Sequence, residues 1–121
     1  MLDIPSDSSL SADIATRALC HSVNRVTDEV MGLLAHPALQ RSNRRRHRSQ
    51  VRQISMYLCH VVLGLPQNEV ALAFGYDRST VSYACHVIED RRDNKALDEL
   101  LIGLERIVSA MSSVAKGYRY E

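Results

Sequence analysis

Residues 74–86 read FGYDRSTVSYACH, and the fold turns on whether Gly75 closes one helix while the polar run Arg78-Ser79-Thr80 opens the next. Glycine accepts the left-handed conformation that ends a helix, and an aspartate such as Asp77 suits both the cap and the positive end of a new one. Behind the polar run, Val81, Ala84, Cys85 and Ile88 recur at helical spacing, which predicts a helix from near Ser79 to about Arg92. Ahead of Gly75, PQNEVALAF reads as a short helix with Pro66 in its first turn and with Val70 and Phe74 on one face. The back of the quoted stretch poses a second question. Its Cys85-His86 dipeptide also occurs as Cys20-His21 and Cys59-His60, a repetition that raises the idea of a metal site.

Further out, residues 49–63 carry Val51, Ile54, Tyr57, Leu58, Val61 and Val62 on one stripe, and Gly64 is placed to stop them. Residues 94–112 carry Leu97, Leu100, Leu101, Leu104, Ile107, Val108 and Met111, with a largely acidic opposite side. Toward the N-terminus, Ile14, Ala15, Ala18, Leu19 and Val23 define a helix over residues 11–25 behind a serine-rich lead. Thr27-Asp28-Glu29 reads as a fresh start leading to Val30, Leu33 and Leu34 and ending at Pro37, although the stripe also runs through Val26 and leaves one long helix open. Residues 36–47 read as an arginine-dense loop and KGYRYE as a loose tail. No run alternates with a period of two, so strands are not expected. The expected fold is all-α, a small helical bundle of about five to six helices containing a helix-turn-helix. Its expected parts are a helical segment over residues 1–40 that serves dimerisation, a domain over residues 41–113, and a tail over residues 114–121.

Composition narrows the setting. A chain of 121 residues that is 45% hydrophobic can bury a single core without staples. Three cysteines with no C-x-x-C spacing do not build a secreted disulfide framework, there is no basic leader, and no apolar run approaches membrane-spanning length. The expectation is a cytoplasmic protein. The net charge of +1 hides a separation: residues 41–52, RSNRRRHRSQVR, hold six arginines and no acid, while the remainder holds nine Lys or Arg against fourteen Asp or Glu. A polyanion on one face suits that dipolar pattern.

Metal binding does not follow from the Cys-His pairs. Neighbours on a helix diverge by about 100°, so one dipeptide cannot close on an ion, and no C-x2-C loop or i, i+4 pair of Cys or His ligands is present. Each cysteine falls on an apolar stripe with its histidine beside it, which reads as a packed thiol next to a boundary imidazole. No cofactor is implied. Glycine-rich phosphate loops and the G-x-S-x-G elbow are missing, and the adjacent acids Glu89-Asp90 and Asp98-Glu99 read as solvated faces, so no enzyme is expected.

A short helix, a glycine turn and a second helix with a polar start match the motif whose second helix enters the DNA major groove N-terminus first. Arg78 can fork to guanine, Ser79 and Thr80 can meet base edges, and Ser82 or Tyr83 can reach the backbone. Asp77 can accept from cytosine or cap the helix. The arginine run, including Arg44, Arg45, Arg46 and Arg48, precedes a helix that starts with Arg52-Gln53 and suits phosphate contacts and a narrow minor groove.

These residues resemble a known family. RRRHRSQVRQISMYLCHVVLGLPQNEVALAFGYDRSTVSYACHVI is similar to the C-terminal DNA-binding domain of the bacterial replication initiator DnaA, of the Trp-repressor-like helix-turn-helix class, with the match carried by the basic run, RQISMYL, and E-V-x-x-A-F-G followed by D-x-S-T-V. The likeness covers about residues 41–110, with its extension to the preceding helix left open. It implies minor-groove insertion for Arg44 and phosphate contacts for Arg52 and Gln53. It implies an approach to DNA beside the groove for Gln67 and Asn68, base reading for Asp77, Arg78, Ser79 and Thr80, and backbone contacts for His60 and Tyr83. The family usually has one more, basic, residue before the aspartate and a histidine where Arg78 stands, which puts the preferred base sequence in doubt. The chain has no room for the initiator's ATPase domain and is not expected to melt an origin by itself.

The sequence therefore predicts a protein that binds double-stranded DNA sequence-specifically, with transcription regulation as its role and the nucleoid as its place. Two alternatives stand beside it: a competitor at initiator boxes that restrains replication, and a helical protein-interaction adaptor. The first and last helices carry stripes broad enough to make a homodimer.

Overall fold

The structure, a computed structural model, describes residues 7–34 and 44–118, with side chains described over 13–34 and 44–116. They form five helices, the last four joined by short turns: α1 (Asp7–Leu34), α2 (Arg44–Val61), α3 (Gln67–Phe74), α4 (Arg78–Arg91) and α5 (Lys95–Tyr118). No strand occurs among the described residues. The all-α expectation holds.

Helix α2 is the axis of the bundle and packs against each of the other four. Every residue from Ile54 to Cys59 is buried, as is Val51 one turn earlier. A helix buried on all sides over a turn and a half has neighbours all round it. The one-sided stripe read from the sequence therefore understates α2, because Ser55, Met56 and Cys59 are as deeply buried as Ile54 and Leu58. Ser55 fits because its hydroxyl donates to the Val51 carbonyl at 2.6 Å. Around this axis α1 contributes Cys20, Val23 and Thr27, spaced three and four residues apart. The other helices supply Val70, Val81, Ala84, Ile88, Leu101, Leu104 and Val108 to the same core. Ile107, expected in the α5 stripe, lies at its edge and is 40% exposed.

Three boundaries differ from the sequence reading. Thr27 does not start a helix; α1 runs unbroken through it, and its side chain fills a core position where a β-branched body packs well, with Oγ1 making no hydrogen bond. Helix α2 begins at Arg44, so Arg44, Arg45, Arg46 and His47 are helical instead of belonging to a loop. Arginine is a good helix former and no glycine or proline interrupts the run. Helix α5 runs to Tyr118, which takes in part of the expected tail. The expected stop at Pro37, Arg41 and residues 119–121 lie outside the described residues.

The glycine stops behave as read. Gly64 and Gly75 take positive φ, 71° and 75°. At Gly75 the amide of Tyr76 reaches the Ala71 carbonyl at 2.9 Å and that of Gly75 reaches Leu72 at 3.4 Å, a Schellman closure of α3. Pro66 stands at the N-cap of α3 instead of inside its first turn, and its carbonyl accepts from Glu69 and Val70.

Arg92 locks the far end of α4. Its Nε donates to Asp98 at 2.6 Å, and one terminal nitrogen donates to Glu105 at 2.7 Å and to the Tyr57 hydroxyl at 3.0 Å; Tyr57 in turn donates to Glu89 at 3.0 Å. Burial opposes the charge on Arg92, but the bonds to Asp98, Tyr57 and Glu105 outweigh it and hold the guanidinium protonated more firmly than usual. One side chain thus ties α2, α4 and α5 together. Arg92→Ala should lower stability by about 2 kcal/mol through the partners it leaves unmatched, whereas the neighbouring Arg91→Ala should stay within about 0.5 kcal/mol of wild type. Urea unfolding midpoints check this, and equal losses for the two variants would reject the hub.

Candidate nucleic-acid interface

The cationic half of α2 is built against the usual preferences of a helix. Its first turn holds Arg44, Arg45 and Arg46 and no acid, at the end where the backbone dipole is already positive. Arg44 and Arg48, four residues apart, add like-charge repulsion. One tether offsets this: the Nε2–H of His47 donates to Asp28 Oδ1 of α1 at 2.7 Å. Arg44, Arg45, Arg46 and Arg48 are exposed, and none makes an ion pair with a described acid.

One turn beyond Arg48, Arg52 connects this segment to the helix-turn-helix. Its guanidinium lies over the Tyr76 ring, 4.7 Å from the centroid, and a terminal nitrogen donates to the Tyr76 hydroxyl at 3.1 Å. Its Nε is buried without a partner. Tyr76 is two residues from Arg78, so the stack holds Arg52 beside the start of α4. Tyr76 was not picked out from the sequence, where it reads only as the residue after a glycine; the turn gives no local cue to a partner 24 residues away.

At the start of α4, Arg78 and Ser79 are exposed, and Thr80 and Ser82 are half-buried. Tyr83 is 64% exposed. Val81, Ala84 and Ile88 are buried behind them and fix the helix to the core. Asp77 has the extended backbone of an N-cap (φ −77°, ψ 154°), and its carbonyl accepts from Thr80 and Val81. Its carboxylate makes no capping bond, which leaves that group facing outward beside the α4 N-terminus. Gln67 and Asn68 occupy the first turn of α3, half-buried and exposed respectively.

Gln53 sits on the other flank of α2 from Arg52, in a groove with Arg45, Arg46, Ser49, Gln50 and Arg91. Arg48 and Arg52 share a second groove with Asn24, Asp28, Val51 and Phe74, so α1 borders the cationic surface as well. His60 stands apart. It lies 16 residues along α2 from Arg44, about 24 Å at the helical rise. Its Nδ1–H donates to the Leu65 carbonyl at 2.8 Å, closing the α2–α3 turn.

The cysteines are packing. Cys20 and Cys59 are buried and Cys85 is half-buried. Cys20 of α1 and Cys59 of α2 are neighbours in the core, and the Cys20 thiol together with burial pushes the Cys59 thiol far up. His21 and His86 are exposed beside their cysteines. Among the described residues no three His, Cys, Asp or Glu side chains gather as metal ligands would, and no helix is long and apolar enough to cross a membrane.

The arrangement offers polyanion-binding charge on α2 and outward polar side chains at the start of α4, coupled through one stacked pair. Residues 21–88, from the middle of α1 to near the end of α4, match the family described as the bacterial DnaA protein helix-turn-helix. No curated protein and no solved structure gives a match to the chain. With more than half its length covered by that family, the chain belongs to the bacterial DnaA helix-turn-helix family of double-stranded-DNA-binding domains.

Proposed function

We propose that this protein is a sequence-specific DNA-binding transcription regulator working at the bacterial nucleoid in the cytoplasm, with α2 supplying affinity and α4 supplying sequence. The observation that supports the reading is the Arg52–Tyr76 stack, because it ties the arginine-bearing helix to the turn that opens α4. Arg78 forks to a guanine in the major groove, Ser79 and Thr80 meet neighbouring base edges, and Asp77 accepts from a cytosine amino group. Arg44 enters the minor groove, while Arg45, Arg46, Arg48, Arg52, Gln53, Ser82 and Tyr83 meet phosphates. Gln67 and Asn68 approach the rim of the groove from the first turn of α3.

The charge arrangement supports this division. Arginines gathered at a positive helix end without counter-ions destabilise the free protein and are relieved by a polyanion, so the segment is better suited to bound DNA than to an isolated fold. Family membership favours one second reading, in which the duplex is an initiator box and the protein restrains replication by competing for it. Selection of binding sites from a random duplex pool separates the two: an enriched initiator box supports competition, a different motif supports regulation, and no enriched motif rejects both.

Two mutational outcomes follow. Arg78→Ala should cost about 1–3 kcal/mol on the selected site and relax its sequence preference, whereas Arg45→Ala should weaken selected and random duplexes alike. Equal losses on both duplexes for both variants would reject the split between reading and gripping. With about four to six phosphates neutralised, log K should fall against log salt with a slope of about −4 to −5, as read by fluorescence anisotropy.

Arg45→Glu should stabilise the free protein by about 0.5 kcal/mol, by removing one repelled cation from the α2 N-terminus, while weakening DNA binding. Thermal unfolding in low salt and anisotropy on the same samples read the two effects. A variant that loses stability and affinity together would show that Arg45 supports the fold instead.

A further inference from the structure

We propose that the groove between the first half of α2 and the end of α4 is a phosphate site for the DNA backbone, with Arg91 as its third cation. The inference rests on the DNA-binding reading above and extends the footprint to a residue at the opposite end of α4 from the base-reading side chains.

The groove is open to solvent, measures about 480 Å³ and is lined by Arg45, Arg46, Ser49, Gln50, Gln53 and Arg91. On α2, Arg46, Gln50 and Gln53 follow one another at four and three residues, so they share a face, with Ser49 one turn before Gln53. All six side chains can donate hydrogen bonds, and no carboxylate lines the groove. Guanidinium, hydroxyl and amide donors around a space without an acid are the chemistry of an oxyanion site.

Arg91 and Arg92 are adjacent and have opposite fates. Arg92 is engaged by Asp98, Glu105 and Tyr57, and the nearby acid Glu89 is engaged by Tyr57. Arg91 is exposed, and its guanidinium makes no hydrogen bond or ion pair with any described residue. At the C-terminal end of a helix an arginine is favourable without a partner, so Arg91 can stand free at little cost to the fold.

Its place on α4 suits a phosphate and not a base. Arg91 lies 11 residues after Thr80, three helical turns and about 16 Å along the same face. The major groove is about 12 Å wide and about 8.5 Å deep. A helix that enters by its N-terminus therefore carries Arg91 beyond the base edges, to the rim where the backbone runs.

The test uses fluorescence anisotropy on the whole chain with a labelled random-sequence duplex of about two helical turns and with the selected site. Arg91→Ala should reduce the magnitude of the salt slope by about 0.9, a 3- to 4-fold smaller loss of affinity between about 50 and about 200 mM salt. It should weaken both duplexes by the same factor. Arg91→Lys should keep the slope, and Arg106→Ala, which removes an exposed arginine of α5, should leave it unchanged. Should Arg91→Ala fail to fold, Arg91→Gln makes the same measurement with the side-chain length largely kept. A steep wild-type slope that the loss of Arg91 does not alter, or that the loss of Arg106 alters equally, overturns the phosphate site and leaves DNA binding standing. A wild-type chain that shifts neither duplex overturns both.

Discussion

Helix α2 carries a constraint on which the rest of the molecule depends: its stretch from Ile54 to Cys59 is buried on every side, while its first turn is cationic and exposed. Burial from Ile54 to Cys59 fixes the helix against four neighbours at once, so its axis cannot tilt without disturbing the whole core. The arginines at its start are therefore carried on a rigid extension of the core. This differs physically from a flexible basic arm, which would lose conformational freedom on meeting DNA; helical arginines have already lost their backbone freedom in the folded protein. Only their side chains remain to be ordered.

That rigidity has an electrostatic counterpart. A helix opening on Arg44-Arg45-Arg46 opposes its own dipole, and among the described residues the hydrogen bond from His47 to Asp28 provides a local counterweight. Asp28 belongs to α1, which otherwise serves the core through Cys20, Val23 and Thr27. Helix α1 is thus both wall and anchor. The same logic separates Arg91 from Arg92: one closes a network that holds three helices, and the other, a residue earlier, faces a groove without acids. Adjacent residues on a helix point about 100° apart, and that rotation is enough to assign one to the fold and one to the surface.

Much of this could be read from residue order because the decisive signals are local. Gly64 and Gly75 need positive φ, and the buried positions of α4 recur at helical spacing behind a polar start, so the helix-turn-helix was legible within one stretch of chain. What was not legible depends on contacts between distant residues. Thr27-Asp28-Glu29 has the composition of a helix start, yet Thr27 packs into the core, and only the tertiary environment decides between those roles. The helicity of Arg44 to His47 was hidden by charge, because repulsion argues against it locally while the partner of His47 lies 19 residues upstream. The stack on Tyr76 and the groove at Arg91 are likewise products of packing, with no motif that announces them.

The turn between α3 and α4 shows how a local change can be absorbed at a distance. One residue, Tyr76, separates the helix-ending glycine from Asp77, where the resembling family usually carries an additional basic residue. A shorter turn removes that local charge. It also sets an aromatic ring directly after the Schellman glycine, in the position that normally packs back on its own helix. Here the ring meets a guanidinium, and Arg52 brings positive charge to the turn from α2. Because α2 is immobilised by the core, that charge is held as firmly as one placed on the turn itself, with the hydroxyl of Tyr76 fixing the plane of the fork. The buried Nε of Arg52 shows how far the side chain is drawn into this contact. Coupling the turn to the central helix in this way makes the orientation of α4 depend on α2, so Arg52 and the polar start of α4 are held as one unit.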